Sequence, residues 1–415
     1  MAGYGRSTTE PTTQIEAEEL EMLSARDYDS VTIDAEDVLQ SFRPELNSSL
    51  HLDPMVRPIA QKECQPIHVP PCPICECDTA IPKFEIEGAP FRLVTCGECH
   101  LGMLFPPPTA EQIARFYPEE YYGANGEKFV PLVERAVRWA GSMQARRLTQ
   151  HLPAGSRVLD IGCGRGTLLS SLADLGFEAH GFDISTTALE GVDPRATVRA
   201  AGSLIEAAYP ENHFDMVVIW HVLEHLSNPK EVLTEIRRIL KPHGELAVAV
   251  PNFSSWQARW SQAGWFHLDL PRHLFHFNSE NLRQLLEDVG FRCGPARYFS
   301  IRQNPFGWVQ SFLNRLTSSK RNQLYSMLRR SPPGSKNKAG FCTRVTQRLT
   351  YWLGMPFGVL LAMMAALCGR GATVCYLAES VDQTLQSHRQ GKEAGEKQLP
   401  IEADPLQWSM EQLMF

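Results

Sequence analysis

The chain has 415 residues, 43% of them hydrophobic, and carries 40 Lys and Arg against 47 Asp and Glu. The net charge of −7 gives no ground for nucleic-acid binding, and the length exceeds a single typical domain, so one large core with additions is expected. The first residues show no charged lead followed by an apolar run, which argues against secretion and for a cytoplasmic chain.

Residues 1–62 are acidic and rich in Ser and Thr, with eleven acids against three basic residues in the first fifty, and read as a disordered leader. Residues 63–110 follow as a small metal ribbon. Cys72-Pro-Ile-Cys75 and Cys96-Gly-Glu-Cys99 are two C-x-x-C turns separated by twenty residues in which Phe84, Ile86, Phe91 and Leu93 nearly alternate. A hairpin of that length brings the turns together, and four thiolates from Cys72, Cys75, Cys96 and Cys99 complete a tetrahedron for structural Zn2+ with no open position for chemistry. A short helical pattern over 110–122 then ends in Phe116, Tyr117, Tyr121 and Tyr122, and residues 131–150 read as an amphipathic helix.

Val158-Leu-Asp-Ile-Gly-Cys-Gly-Arg-Gly-Thr follows, an apolar strand running into Gly162, Gly164 and Gly166 and turning helical at once. Glycines without Cβ let a ligand lie against the backbone, while the free N–H groups of the new helix face the same place. A dinucleotide fingerprint needs a small residue where Thr167 stands, so nicotinamide cofactors are disfavoured. Asp183 closes a second apolar run twenty-one residues after Gly162. An acid at that strand tip is placed to accept hydrogen bonds from a ribose diol, which points to a nucleoside ligand.

These residues, with Phe214-Asp-Met-Val-Val-Ile-Trp-His-Val-Leu-Glu-His-Leu, resemble the class I S-adenosylmethionine-dependent methyltransferases, most of all the group of ubiquinone-biosynthesis and small-molecule O-methyltransferases. The resemblance covers about 130 to 302 and implies an α/β fold: a Rossmann-like, doubly wound, seven-stranded sheet with S-adenosylmethionine over the strand tips. It also implies Asp160 orienting the turn, with Gly162, Gly164, Gly166 and Asp183 on the cofactor and His221 nearby. Many bacterial members carry a similar ribbon ahead of the catalytic domain. Where related enzymes often place an acid for the adenine amine, this chain has Gly202-Ser203, leaving Ser203 to offer an oxygen.

The domain is expected over 111–380. Its elements are a strand Phe214–Trp220, a helix Val232–Leu240 stopped by Lys241-Pro-His-Gly, a strand Leu246–Val250, a helix Asn281–Val289, a strand at 297–301 and a last strand Gly371–Leu377. A helical insertion, 303–369, precedes the last strand. Residues 349–369 are uncharged and would reach across a bilayer, but the last strand must return to the same sheet and Gly354, Pro356 and Gly358 are expected to break the helix. No acid lies between Asp288 and Glu379, where thirteen Arg and Lys fall. Peripheral contact with an anionic inner membrane face through 303–369, or a lid over the pocket, are the two readings. Residues 381–415 read as a flexible tail.

The catalytic candidates are His273 and His276 of Pro271-Arg-His-Leu-Phe-His, as base or substrate anchor, because His is the usual proton acceptor near neutral pH. The expected acceptor is a small molecule, lipid-linked intermediate or sugar derivative methylated on oxygen, with carbon methylation as an alternative. His221-x-x-Glu224-His225 also spells an inverted zinc-peptidase motif, in which both histidines share a helix face, so a zinc hydrolase is the competing class. A non-catalytic cofactor-binding scaffold is the third.

Overall fold

The computed structural model describes residues 54–60, 64–117, 129–316, 321–329 and 341–381. The chain before 54, Tyr121, Tyr122 and the tail after 381 lie outside the described residues.

Five short strands come first: β1 (Val56–Pro58), β2 (Ile67–His68), β3 (Thr79–Ile86), β4 (Arg92–Cys96) and β5 (Gly102–Phe105). Alternation in β3 puts Ala80, Phe84 and Ile86 inside, as a sheet with one solvated face requires. The strand β1 lies within the span assigned to the leader and pairs antiparallel with β3, so the ordered chain begins earlier than composition suggests. The local acidity averaged over that span hides a single buried Val56.

Two helices, α1 (Ala110–Arg115) and α2 (Pro131–Thr149), lead to the second sheet. Thr109 and Gln112 cap α1 reciprocally, and Pro131 starts α2 at a position where its missing N–H costs nothing. Then come β6 (Arg157–Ile161), α3 (Thr167–Asp174), β7 (Glu178–Asp183), β8 (Thr197–Ala200), β9 (Phe214–Trp220), α4 (Pro229–Ile239) and β10 (Leu240–Pro251). The remainder is α5 (Trp256–Ser261), β11 (Phe275–His276), α6 (Ser279–Val289), β12 (Phe291–Cys293), α7 (Asn304–Leu316), α8 (Gln323–Leu328), α9 (Phe341–Leu367) and β13 (Thr373–Ser380).

Seven strands form the second sheet in the order β12-β13-β10-β9-β6-β7-β8, parallel except for β13, which runs antiparallel between β10 and β12. The doubly wound sheet is as expected. Its centre is β9, whose Phe214, Met216, Val217, Val218 and Ile219 are all buried, each side chain stabilising the fold by about 1.5–3 kcal/mol. Strand order reverses between β6 and β9, and in open α/β sheets a ligand crevice lies beyond the strand ends at that point.

Several boundaries differ from expectation. Lys241-Pro-His-Gly does not end the helix region cleanly: β10 begins at Leu240, and the segment makes a register shift between Leu240 and Glu245. The strand expected at 297–301 lies instead at β12, and Arg297 keeps only an isolated bridge to Cys375. Pro356 does not break α9, which runs unbroken from Phe341 to Leu367. Two residues on, the helix packs on α7: Gly358 lies so close that a Cβ there would stand 2.6 Å from the Pro305 carbonyl oxygen.

The first sheet is not self-contained. Its order is β1-β3-β4-β5-β11, so its last strand comes from 170 residues further along the chain, within the larger domain.

Candidate active site

The glycine turn sits at the crevice. Gly162, Gly164 and Gly166 all have positive φ, 70°, 49° and 70°, a region costly for any residue with a Cβ. Two of them are also packed: a Cβ on Gly162 would stand 2.4 Å from Val222 Cγ2, and one on Gly166 would stand 2.8 Å from Val192 Cγ1. Gly164 differs, because none of the described residues lies within 4 Å of its missing Cβ. The N-cap of α3 is Gly166, with no side chain bonding the first-turn N–H groups. Open space over Gly164 and free donors beside it fit a polar, partly anionic ligand lying against the backbone.

Asp183 ends β7 at the same place, buried, with Oδ2 accepting from the Gly164 N–H at 2.9 Å and Oδ1 from the Ser185 N–H at 2.9 Å. Burial raises its pKa, and the backbone donors work against that rise. Asp160, at the end of β6, is buried and pushed up to about 7 by desolvation, with Arg302 opposing and Asp183 adding to the rise. Ser203 uses its hydroxyl to accept the Glu206 N–H at 3.2 Å. An acid does stand beside 202–203 in space, Glu206, whose Oε2 lies 2.8 Å from where a Gly202 Cβ would be. Sequence position alone hid it, because a short turn after β8 folds residue 206 back over 202.

Val222, the residue packed into Gly162, also fastens the glycine turn to His221, Glu224 and His225. These do not lie on an α-helix: a turn leads into a single 3-10 turn, Leu223–His225, with His221 at φ 55°. The two histidines therefore do not share a helix face, and the peptidase spelling lacks the geometry it needs. Instead Glu224 Oε1 meets His221 Nδ1 at 3.1 Å and faces His273 Nε2 at 3.9 Å. Donor atoms of Glu224, His225 and His273 all lie within 4.8 Å of one another.

Hydrogen bonds assign the His225 tautomer. Its Nδ1 lies 3.0 Å from the Arg272 carbonyl oxygen and 2.8 Å from the Tyr117 hydroxyl. A carbonyl only accepts, so Nδ1 carries the proton and Nε2 keeps a bare lone pair in the neutral ring. Asp269 and Arg272 pair through both carboxylate oxygens at 3.1 Å, and Asp269 Oδ2 is 3.8 Å from His273 Nε2. Burial opposes ionisation of Asp269, but Arg272 and the neighbouring histidines outweigh it and hold the carboxyl below the usual range.

The same burial acts throughout the cluster. His221 and His267 are pulled down to about 3 and His276 to about 4, His273 falls well below its ordinary value, and Glu224 is pushed up to about 7. Among the described residues five buried polar atoms here have no hydrogen-bond partner: His221 Nε2, Glu224 Oε2, His267 Nε2, His273 Nδ1 and His276 Nδ1. Orphaned groups in a buried polar cluster mark a place where a ligand or water belongs.

His276 is set further back, its Nε2 donating to the Leu268 carbonyl at 2.9 Å. It shares β11 with Phe275, and the pairing Phe275↔Met103 and His276↔Gly102 binds this loop to β5. A Cβ on Gly102 would stand 2.8 Å from the His276 Cβ, so the approach is tight. The small cysteine-bearing sheet thus holds the histidine loop against Glu224, whose carbonyl accepts the Leu274 N–H at 2.9 Å. Glu224 and His225 are the residues that the sequence did not bring together with His273; the H-x-x-E-H spelling at a strand end was the available signal.

In that sheet Cys72 Sγ lies 3.6 Å from Cys99 Sγ and Cys75 Sγ 3.4 Å from Cys96 Sγ, and all four sulfurs fall within 4.8 Å of one another. Sulfurs at about 2.3 Å from a tetrahedral zinc stand about 3.8 Å apart, so the set fits that ion. Cys77 instead bonds Thr79 Oγ1 at 3.2 Å and is outside the group.

A family model described as a methyltransferase domain matches residues 135–294. A protein of Mycolicibacterium smegmatis named "Probable S-adenosylmethionine-dependent methyltransferase" is 30% identical over 175 residues, which is 40% of this chain and 64% of that protein. The ubiquinone biosynthesis O-methyltransferase of Burkholderia thailandensis is 37% identical over 103 residues, 23% of this chain and 43% of that enzyme. A crystal structure of a SAM dependent methyltransferase from Archaeoglobus fulgidus aligns with 21% identity over 59% of this chain and 94% of that one, with a TM-score of 0.38. The chain thus spans less than two thirds of the length of the curated relatives it matches. Sheet order and glycine turn agree with the match of residues 135–294 to a methyltransferase domain, and the fold is the Rossmann-like class I arrangement.

Proposed function

We propose that this chain methylates a hydroxyl oxygen of a small, lipid-linked or sugar-derived acceptor held against the Glu224, His225 and His273 cluster. The observation that carries the reading is the set of orphaned buried polar atoms joined to the glycine turn through Val222. S-adenosylmethionine, when bound, supplies a methyl group already activated on a sulfonium. The residues that would hold it are Gly162, Gly164 and Gly166 through the backbone, Asp183 through the ribose, and Glu206 or Ser203 at the base, with Asp160 and His221 lining the turn.

The chain's own work is then to hold the acceptor dry and take its proton. His225 Nε2, left bare when Nδ1 donates to the Arg272 carbonyl, is the proton acceptor. Glu224, pushed up to about 7, changes charge in the range where such a proton moves and steadies the histidines around it. His273 anchors the acceptor, and His276 positions the loop. The four cysteines hold a structural zinc ion whose role is to keep the first sheet, and through β11 the histidine loop, in place.

Calorimetric titration with S-adenosylmethionine and its demethylated product, on wild type and Asp183→Ala, tests the cofactor half. Binding weakened at least about tenfold in the variant is expected from the loss of a charged acceptor. A folded wild type that binds neither compound overturns the reading and leaves the turn structural. Binding without turnover on any hydroxyl acceptor would assign a scaffold or a carbon acceptor instead.

A further inference from the structure

The helix α9 faces the wrong way for a soluble protein. Along its length Gly354, Gly358, Ala362 and Ala365 turn inward; Ala362 and Ala365 are each 1% exposed, and Gly354 and Gly358 lie against Val309 and Pro305 of α7. The large side chains turn outward: Leu349, Leu353, Phe357, Leu360, Met364 and Leu367 are 47–69% exposed. At 3.6 residues per turn these six fall within about 80° of one another, a single continuous stripe. The span Val345–Leu367 has a mean hydropathy of 1.6 with only 17% of its apolar window buried. Trp256 and Trp260 of α5 and Phe312 and Leu316 of α7 are exposed too, and α7 packs against both α5 and α9. An exposed apolar stripe of this kind marks an interaction site.

Charge says what covers it. Between residues 289 and 378 lie thirteen of the chain's 40 Lys and Arg and none of its 47 Asp and Glu. Arg348 and Arg370, both exposed, flank the stripe along the chain, and Arg315 of α7 lies 5.0 Å over the Trp260 ring of α5. A second copy docking through the same face would set cations against cations with no carboxylate in the segment to pair them. An anionic lipid surface meets both features, taking the apolar stripe among its acyl chains and the guanidinium groups at its headgroups. Crossing the bilayer is excluded by topology, since α9 is packed along α7 and returns directly to β13 in the central sheet.

We infer that α9, with the flanking Trp and Arg residues of α5 and α7, lies in the plane of an anionic membrane surface and docks the chain there. The inference is independent of the acceptor's identity. The test is flotation of the full chain with vesicles of phosphatidylglycerol and phosphatidylethanolamine, and with phosphatidylcholine alone. Wild type is compared with Leu353→Ser/Phe357→Ser and with Arg348→Gln/Arg370→Gln. These side chains are exposed, so the variants keep the fold, which circular dichroism and the S-adenosylmethionine titration check separately. Wild type is expected to favour anionic vesicles, and both variants to lose about tenfold or more in partitioning, the arginine variant only at low salt. Equal recovery with both lipids, no recovery of wild type, or unchanged partitioning in the Leu/Phe variant overturns the inference. A doubled mass in light scattering that the Leu/Phe variant returns to monomer would also overturn it and assign the face to a second copy.

Discussion

Replacing Glu224 by Gln separates the cost of burying this carboxyl from its use. A group moved from 4.5 to about 7 ionises less easily in the folded chain than in the unfolded one. At about 1.4 kcal/mol per pH unit the difference amounts to about 3 kcal/mol. Because the folded value is raised, the carboxyl destabilises nothing below about 4.5, where it is protonated in both states. Stability falls as pH rises through the window from 4.5 to about 7, and the loss is complete above it. Gln keeps the shape and never ionises. Urea unfolding of wild type and Glu224→Gln, without cofactor, should show the variant gaining about 2–3 kcal/mol on wild type between about pH 5 and pH 8.5. The His221 bond at 3.1 Å persists with the amide, so the gain is not offset by an empty partner. The same change should lower turnover by about 10² or more. A stability difference that does not move with pH would refute the reasoning, because the carboxyl would then be solvated rather than held in a dry cluster.

Three further outcomes follow from the geometry. Gly162→Ala places a Cβ 2.4 Å from Val222 at φ 70° and should cost at least about 1–2 kcal/mol, read from thermal melts, with Val222→Ala restoring part of the loss but not the backbone strain. Cys72→Ser should lower bound zinc by elemental analysis and, by loosening β5 and β11, raise the acceptor KM more than it weakens S-adenosylmethionine binding. Tyr117→Phe removes one partner of His225 Nδ1 while Arg272 remains, so turnover should fall by about tenfold or less in steady-state assays.

The parts of this chain that could be read from sequence are those whose physics is local. An apolar run ending in alternate glycines and a helix is visible within ten residues, because positive φ and close backbone approach demand glycine there. Asp183 follows at a strand end, and two C-x-x-C turns carry their own geometry. Where the local pattern speaks through averages or single residues it misleads: β1 lies hidden in an acidic stretch, and α9 continues through Pro356.

The rest needed long-range contacts. No spacing in the chain says that β11 pairs with β5, yet that pairing sets His273 within 3.9 Å of Glu224 and makes the cysteine sheet a support for the candidate site. Nor does composition say which face of α9 turns outward. The glycines and alanines went inward because α7 approaches too closely for anything larger, and that left the large apolar side chains to whatever lies outside.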